Sequence, residues 1–390
     1  MKSESVLGIQ PELLRWARKT VGMSVTEVAD SLKRKPEEIE SWEAGHSAPT
    51  YPQLEKLAYQ LYKRPLAVFF LPEPPEETTP QREFRTLPTS DLQTLSRDTY
   101  LQIRRAHAYQ IALKELFGGH NPASRCIWKS LSLSIRGDLA QQAQQIRQFF
   151  GVTLEEQIAW KSDTIALKQW RQAVEDCGVF VFKAAFKQKD ISGFCLMDEN
   201  LPIIYLNNST TKTRQIFSLL HELAHLLLSI NGLSKFDTDY IARLPESEKQ
   251  LEIFCNAIAA EILIPGRDFA IQAERFPANI EAAPETLLSD LAGRYGVSRE
   301  VILRRFLDLG RVSRVFYENK TMRWSAQKQP AGGGNWYLNQ GAYLSDRFAK
   351  EVVSRHFRGQ ISLEQASDFL GIKPKSYAGF EERILQGSGA

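Results

Sequence analysis

The sequence predicts a mainly α protein with one small antiparallel sheet, an α+β chain with an all-α front, a mixed centre and a helical tail. Three observations predict it. Apolar residues recur three and four apart through most of the 390 residues. One stretch, 179–207, breaks into short β-branched and aromatic runs with polar turns between them. A Pro- and Glu-rich break, PEPPEETTP at 72–80, cannot continue a helix and sets the front apart as a linker.

Residues 9–70 read as short helices, from Leu13, Leu14, Trp16 and Ala17, then Val25, Val28, Ala29 and Leu32, then Ile39 and Trp42, then Leu54, Leu57, Ala58 and Leu61. Gly22 separates the first two. Ser24 with Glu27 three residues on is a capping-box pattern, and Gly45 and Pro49 end the third helix. Helices follow at about 91–117, 137–149 and 163–177. The runs VFVFKAAF (179–186), ISGFCLM (191–197) and PIIYLN (202–207) form the sheet. Strong helices are expected at 213–230 and 246–263, and two short ones at 285–309 around Gly296-Val297-Ser298. VSRVFYEN and TMRWSAQ read as a hairpin, 331–334 as a Gly-rich hinge, and about 342–386 as helical. The expected division is 1–71, a linker at 72–90, then 91–284, an extension at 285–330, and a tail at 335–390.

Hydrophobic residues make up 43% and charged residues 24%, ordinary for a soluble globular chain. A net charge of +3 is too mild to argue nucleic-acid binding without a motif. The start has no continuous apolar run, and no stretch approaches the length of a membrane span, so a cytoplasmic protein without membrane contact is expected. Cys126, Cys177, Cys195 and Cys255 are scattered without a CxxC pair and read as free thiols, small buried hydrophobes in a reducing compartment.

His221-Glu222-Leu223-Ala224-His225 sits within an apolar helix, Ile216 to Leu227. Positions i and i+4 share a helix face, so both imidazoles reach one ion. Glu222 points beside that ion, where it can hold an attacking water and take its proton. Two histidines satisfied in a core helix are the plainer alternative, but His, Glu and His in mid-helix would then need three unrelated buried partners. A catalytic zinc takes three protein ligands and a water. The third ligand is expected from 246–263, where Glu252 and Asn256 are spaced i, i+4. Glu252 would be the ligand and Asn256 the hydrogen-bond partner that orients a ligand histidine. On spacing alone, Glu246, Glu248 and Glu261 compete with Glu252. Tyr205, Tyr240 and Arg243 are near enough in sequence to serve as oxyanion donors, although packing or exposure explains each as well. The free edge of the 202–207 strand is expected to pair with an extended substrate.

HELAHLLL, LEIFCNAIAAEILIP and, ahead of them, ISGFCLMDENLPIIYLNN resemble the ImmA/IrrE family of metallopeptidases over roughly 160–310. The resemblance implies a zincin-like domain, Zn2+ as cofactor and Glu252, four residues before Asn256, as third ligand. Phe254-Cys255 departs from the small or acidic residues commoner before that Asn, without touching the ligands.

MSVTEVADSLKRKPEEIESWEAG, with Trp42-Glu43-x-Gly45, Ala48-Pro49-Thr50 and LEKLA, resembles the Cro/C1-type (XRE) helix-turn-helix. The continuation through RPLAVFFLPEPPEE and 82–88 is similar to fused XRE-ImmA/IrrE proteins. DNA contacts are expected from Lys33, Arg34, Lys35, Glu37, Glu38 and Ser41, although Glu37, Glu38, Glu40 and Glu43 would repel phosphates unless some point away. Residues 286–309 resemble a second helix-turn-helix-like segment, read as packing or partner contact. The resemblance implies a peptidase that cuts a repressor or antitoxin-like DNA-binding protein. Double-stranded DNA and a second copy of the chain are further expected partners. The rival reading is a DNA-binding regulator or antitoxin whose peptidase fold is a sensor or scaffold with little activity.

Overall fold

The computed structural model describes residues 4–77, 80–84, 86–235, 239–325 and 343–385. It divides into two compact units: Met1–Phe84 with Thr89–Arg105, and Arg85–Pro88 with Ala106–Ala390. The expected hinge at 331–334 lies outside the described residues.

The first unit opens with α1 (Pro11–Lys19), α2 (Val25–Leu32), α3 (Pro36–Glu43) and α4 (Tyr51–Glu55), which runs on as a π-helical segment to Tyr62. The apolar positions read from the sequence form its core, with Leu13, Ala17, Val28, Ala29, Ile39, Trp42, Leu54 and Leu57 buried. Ser24 accepts from the Glu27 amide and Glu27 from the Ser24 amide, the reciprocal cap expected. Glu43 turns inward, taking Arg18 through two bonds of 2.6 and 2.7 Å. One of the four α3 carboxylates therefore ties α3 to α1 and is withdrawn from the surface. The unit continues through α5 (Pro80–Glu83), α6 (Thr89–Gln93) and the first part of α7 (Arg97–Phe117). The single helix expected over 91–117 is thus two, because Ser96 accepts from the Thr99 amide and starts α7 afresh. Arg97 and Arg104 donate to the carbonyls of Gln60, Leu61, Tyr62 and Lys63, groups a helix end leaves unpaired.

The second unit adds α8 (Ile127–Ser130), α9 (Leu139–Phe150), α10 (Leu154–Ala159) and α11 (Asp163–Asp176) before the sheet. Strands β1 (Phe180–Ala184), β2 (Ile191–Leu196) and β3 (Ile203–Asn207) fall where the β-branched runs predicted them. Helix α12 (Lys212–Leu227) follows, then β4 (Leu233–Lys235), α13 (Glu246–Leu263), α14 (Gly266–Ala273), α15 (Glu285–Tyr295) and α16 (Arg299–Asp308). The strand order is β1-β3-β2-β4.

The mainly α class with a small sheet stands, but the sheet is mixed. β2 pairs antiparallel with β3 and β4, whereas β1 joins the far side of β3 in parallel. Strand periodicity reports which residues share a face and says nothing about a partner's direction. One face carries Val181, Cys195, Ile204 and Leu206 into the core with α12. The other carries Phe182, Phe194 and Tyr205, stacked with one another and met by Tyr109 and Phe348. Phe348 belongs to the tail, α18 (Asp346–Phe357), α19 (Leu363–Leu370) and α20 (Tyr377–Leu385). Arg171, which donates to the carbonyls of Val181 and Leu344, and Glu175, which accepts from the Asp346 amide, fasten that tail to the sheet.

The hairpin expected after 312 is instead a helix, α17 (Arg314–Ser325). Its aromatic residues look strand-like singly, but Phe316, Lys320 and Trp324 are spaced i, i+4, i+8. The Lys320 ammonium lies 5.8 and 6.0 Å from the two ring centres, and Glu285 on α15 binds both Lys320 and Trp324.

Candidate metal centre

Helix α12 begins at Thr211, whose hydroxyl accepts from the Arg214 amide. Nearly every residue from Gln215 to Leu227 is buried. Helix α13 packs on it. Between them lie His221 (3% exposed), Glu222, His225 and Glu252 (all 0%).

Four donor atoms from three residues converge. His221 Nε2 and His225 Nε2 are 3.1 Å apart, His221 Nε2 is 3.3 Å from Glu252 Oε2, and His225 Nε2 is 3.3 Å from Glu252 Oε1. Donors bound at about 2.0–2.1 Å in a tetrahedron stand roughly 3.4 Å from one another, so these spacings are of the size that a zinc site needs. The polar inventory agrees. His221 Nδ1, both Glu222 oxygens and Glu252 Oε1 are buried without a hydrogen-bond partner. Each such group costs about 1–3 kcal/mol if left unpaired. Two imidazoles and a carboxylate form a donor set that a divalent cation satisfies, and these are the described residues that group in this way.

The electrostatics are coupled. Burial alone would raise the Glu252 carboxyl, but His225 and His221 hold it well below the ordinary carboxylate range. Burial opposes a charge on His225, yet Cys255 and Glu252 outweigh it and raise the imidazole. Burial raises Glu222 above an ordinary carboxyl, which the two histidines only partly offset. A raised carboxylate is suited to accept a proton near neutral pH.

Asn256 is half-buried on α13 and bonds neither imidazole. The group at His225 Nδ1 is Cys255, whose sulfur lies 3.7 Å away. The residue set aside as not touching the ligands therefore touches one. Glu252, not Glu246, Glu248 or Glu261, faces the histidines. Glu246 is exposed and Glu248 half-buried in the first turn of α13, where Glu248 accepts from the Ser247 hydroxyl, and Glu261 binds Arg305. Tyr205 sits in the aromatic stack of the sheet, Arg243 is exposed, and Tyr240 donates its hydroxyl to Glu252 Oε2 at 2.8 Å. β3 has neighbours on both sides, so the free edge expected there does not exist. The outward amide and carbonyl of Leu233 on β4 both meet the Thr86 hydroxyl.

Sequence reasoning missed Gly232. A Cβ built on it would stand 2.5 and 2.7 Å from the His225 ring and 2.9 Å from Glu222 Oε2. Its carbonyl accepts from the Cys195 amide at 2.9 Å and its amide donates to the Cys195 sulfur, so the backbone cannot retreat. The Asn231-Gly232 pair after α12 carried a turn signal; the need for a bare backbone against two functional side chains shows only in three dimensions. Gly232→Ala is expected to displace His225 and weaken the binding of an added divalent metal by roughly 10–100-fold, the range for disturbing a ligand's support. Titration with a chelating dye measures this, and unchanged affinity would show that the loop gives way freely.

In the first unit, Lys33, Arg34 and Lys35 are exposed just before α3, and Lys33 is left-handed at φ 55°. Glu37 is exposed, Glu38 is 3.9 Å from Arg34, and the Ser41 hydroxyl pairs with Ser47 at 2.7 Å.

A helix-borne His-Glu-x-x-His whose third donor comes from the next helix is the arrangement of a metal-dependent hydrolase. Residues 174–307, which contain all four side chains, match the family model of the IrrE N-terminal-like domain, Peptidase_M78. The match supports a metallopeptidase of the ImmA/IrrE kind in this segment. No curated protein matches the chain. Among the described residues, no helix is long and apolar enough to cross a membrane.

Proposed function

We propose that this chain is a zinc-dependent endopeptidase that cleaves a regulatory protein, and that its first unit is an XRE-type helix-turn-helix coupling the cleavage to transcription. The observation that carries the peptidase reading is the convergence of His221, His225 and Glu252 at 3.1–3.3 Å, each histidine facing one Glu252 oxygen, beside Glu222, whose two oxygens have no hydrogen-bond partner. In this reading the two histidines and Glu252 hold the ion. Zinc supplies Lewis acidity and makes a bound water acidic near neutral pH. Glu222 takes the proton of the attacking water and returns it to the departing amine, as its burial and raised basicity allow. Dry surroundings strengthen each of these interactions. Four free thiols accord with a reducing cytoplasm.

A repressor or antitoxin-like substrate accords with the resemblance and with the helical unit at the front. The reciprocal Ser24–Glu27 cap and the exposed Lys33-Arg34-Lys35 before α3 support a DNA-facing role. Replacing those three by alanine is expected to lower the salt slope of duplex binding by about three. A full chain that binds no duplex DNA at low salt would remove this part of the proposal.

The rival is a sensor or scaffold with little activity, and the near-complete burial of His221, Glu222 and His225 favours it. Metal analysis of the purified chain, with cleavage assays on casein and on folded DNA-binding proteins, separates the readings. One zinc per chain with hydrolysis is expected. One zinc without hydrolysis of any protein would leave the sensor. No zinc after zinc is supplied would sink the peptidase reading and leave a DNA-binding regulator on a metal-free scaffold.

A further inference from the structure

The two oxygens of Glu252 are unequal. Oε2 lies 3.3 Å from His221 Nε2 and also accepts the Tyr240 hydroxyl at 2.8 Å, while Oε1, 3.3 Å from His225 Nε2, has no hydrogen-bond partner. Tyr240 is 2% exposed, in a short 3-10 turn (Asp239–Arg243) that packs on α13. A phenol is protonated at neutral pH, so at this distance the hydroxyl donates to the carboxylate. A carboxylate free to turn about its last bond can offer a metal one oxygen or both. Offering both would fill the position that a catalytic zinc keeps for water.

Resting on the zinc-peptidase reading, we propose that Tyr240 is a positioning residue: its hydrogen bond fixes the turn of the Glu252 carboxylate and engages Oε2, so that Oε1 is left as the stronger ligand and a coordination position stays open. This assigns Tyr240 differently from an oxyanion donor. Its one hydrogen is engaged by Glu252, and it acts on the reaction only through that ligand.

The test measures zinc affinity by competition with a chelating dye, and the visible spectrum after cobalt(II) substitution. Both are taken on the full chain for wild type, Tyr240→Phe, Glu252→Ala and the double variant. Tyr240→Phe is expected to bind zinc about 10–100-fold more weakly, the range for losing a group that orients a ligand. Its cobalt bands should weaken as the coordination number rises. In the Glu252→Ala background the same substitution should change nothing further, because the phenol then has no carboxylate to hold. Wild-type affinity and spectrum in Tyr240→Phe would overturn the proposal. So would an equal loss in the Glu252→Ala background, which would mean that the phenol merely supports the fold. Unchanged metal binding with lost hydrolysis would overturn it in favour of a catalytic phenol. A wild type that takes up neither zinc nor cobalt would instead fell the underlying metal reading, and this inference with it.

Discussion

Glu222→Gln is expected to keep one zinc per chain and to lose hydrolysis by about 1,000-fold, within the 100- to 10,000-fold range of general-base catalysis. The amide is nearly isosteric, so the 0% exposed pocket against Gly232 has no reason to rearrange. What disappears is the capacity to take a proton. The two unpartnered carboxylate oxygens become one acceptor and one donor, and the donor faces a site built to attract protons away from water. Retention of zinc is as informative as the loss of rate, because the ligand triangle does not include Glu222. Parallel metal analysis and cleavage assays on the two proteins measure both. Equal cleavage by the variant would remove Glu222 from the mechanism and favour the sensor reading.

Glu252→Ala is expected to have the opposite signature, loss of metal first and of everything metal-dependent after it. Apparent zinc free energies of about 10–16 kcal/mol for four-ligand sites imply roughly 3–4 kcal/mol per ligand, or on the order of 100- to 1,000-fold in affinity. Proton release gives a second readout. Without metal, the Cys255 and Glu252 contacts raise His225 above its ordinary range against its burial, so wild-type zinc uptake should release protons. Removing Glu252 takes away one of those causes, and less proton should be released. The sign for stability follows. A raised imidazole stabilises the metal-free fold at pH below its unfolded value, about 6.5, and that contribution fades as pH rises through the folded one. Calorimetric titration in two buffers of different ionisation enthalpy measures the proton count. Undiminished zinc affinity in the variant would mean that another group completes the triangle.

Much of this was legible in the chain. The bounds of α13, the cap at Ser24, the strands at 180–184, 191–196 and 203–207, and the shared face of His221 and His225 all follow from spacings of two to four residues. Such spacings decide backbone hydrogen bonding and side-chain direction within a single element, so sequence periodicity reports them directly. Spacing alone left Glu252 level with its neighbours in α13 until the family resemblance singled it out. The parallel addition of β1 to β3 and the helix at 314–325 were not written in the chain. Nor were Cys255 at the back of His225, Tyr240 against Glu252, and the bare backbone of Gly232 against His225 and Glu222. Each of these joins groups on different elements or on the turns between them. Their meeting depends on how the elements close together, which a local pattern does not encode. The sequence by itself determined the helix that carries the chemistry. The packing of α13, β4 and the turn at Tyr240 around that helix decided which side chains complete the site, because burying them together leaves their polar atoms no other partners.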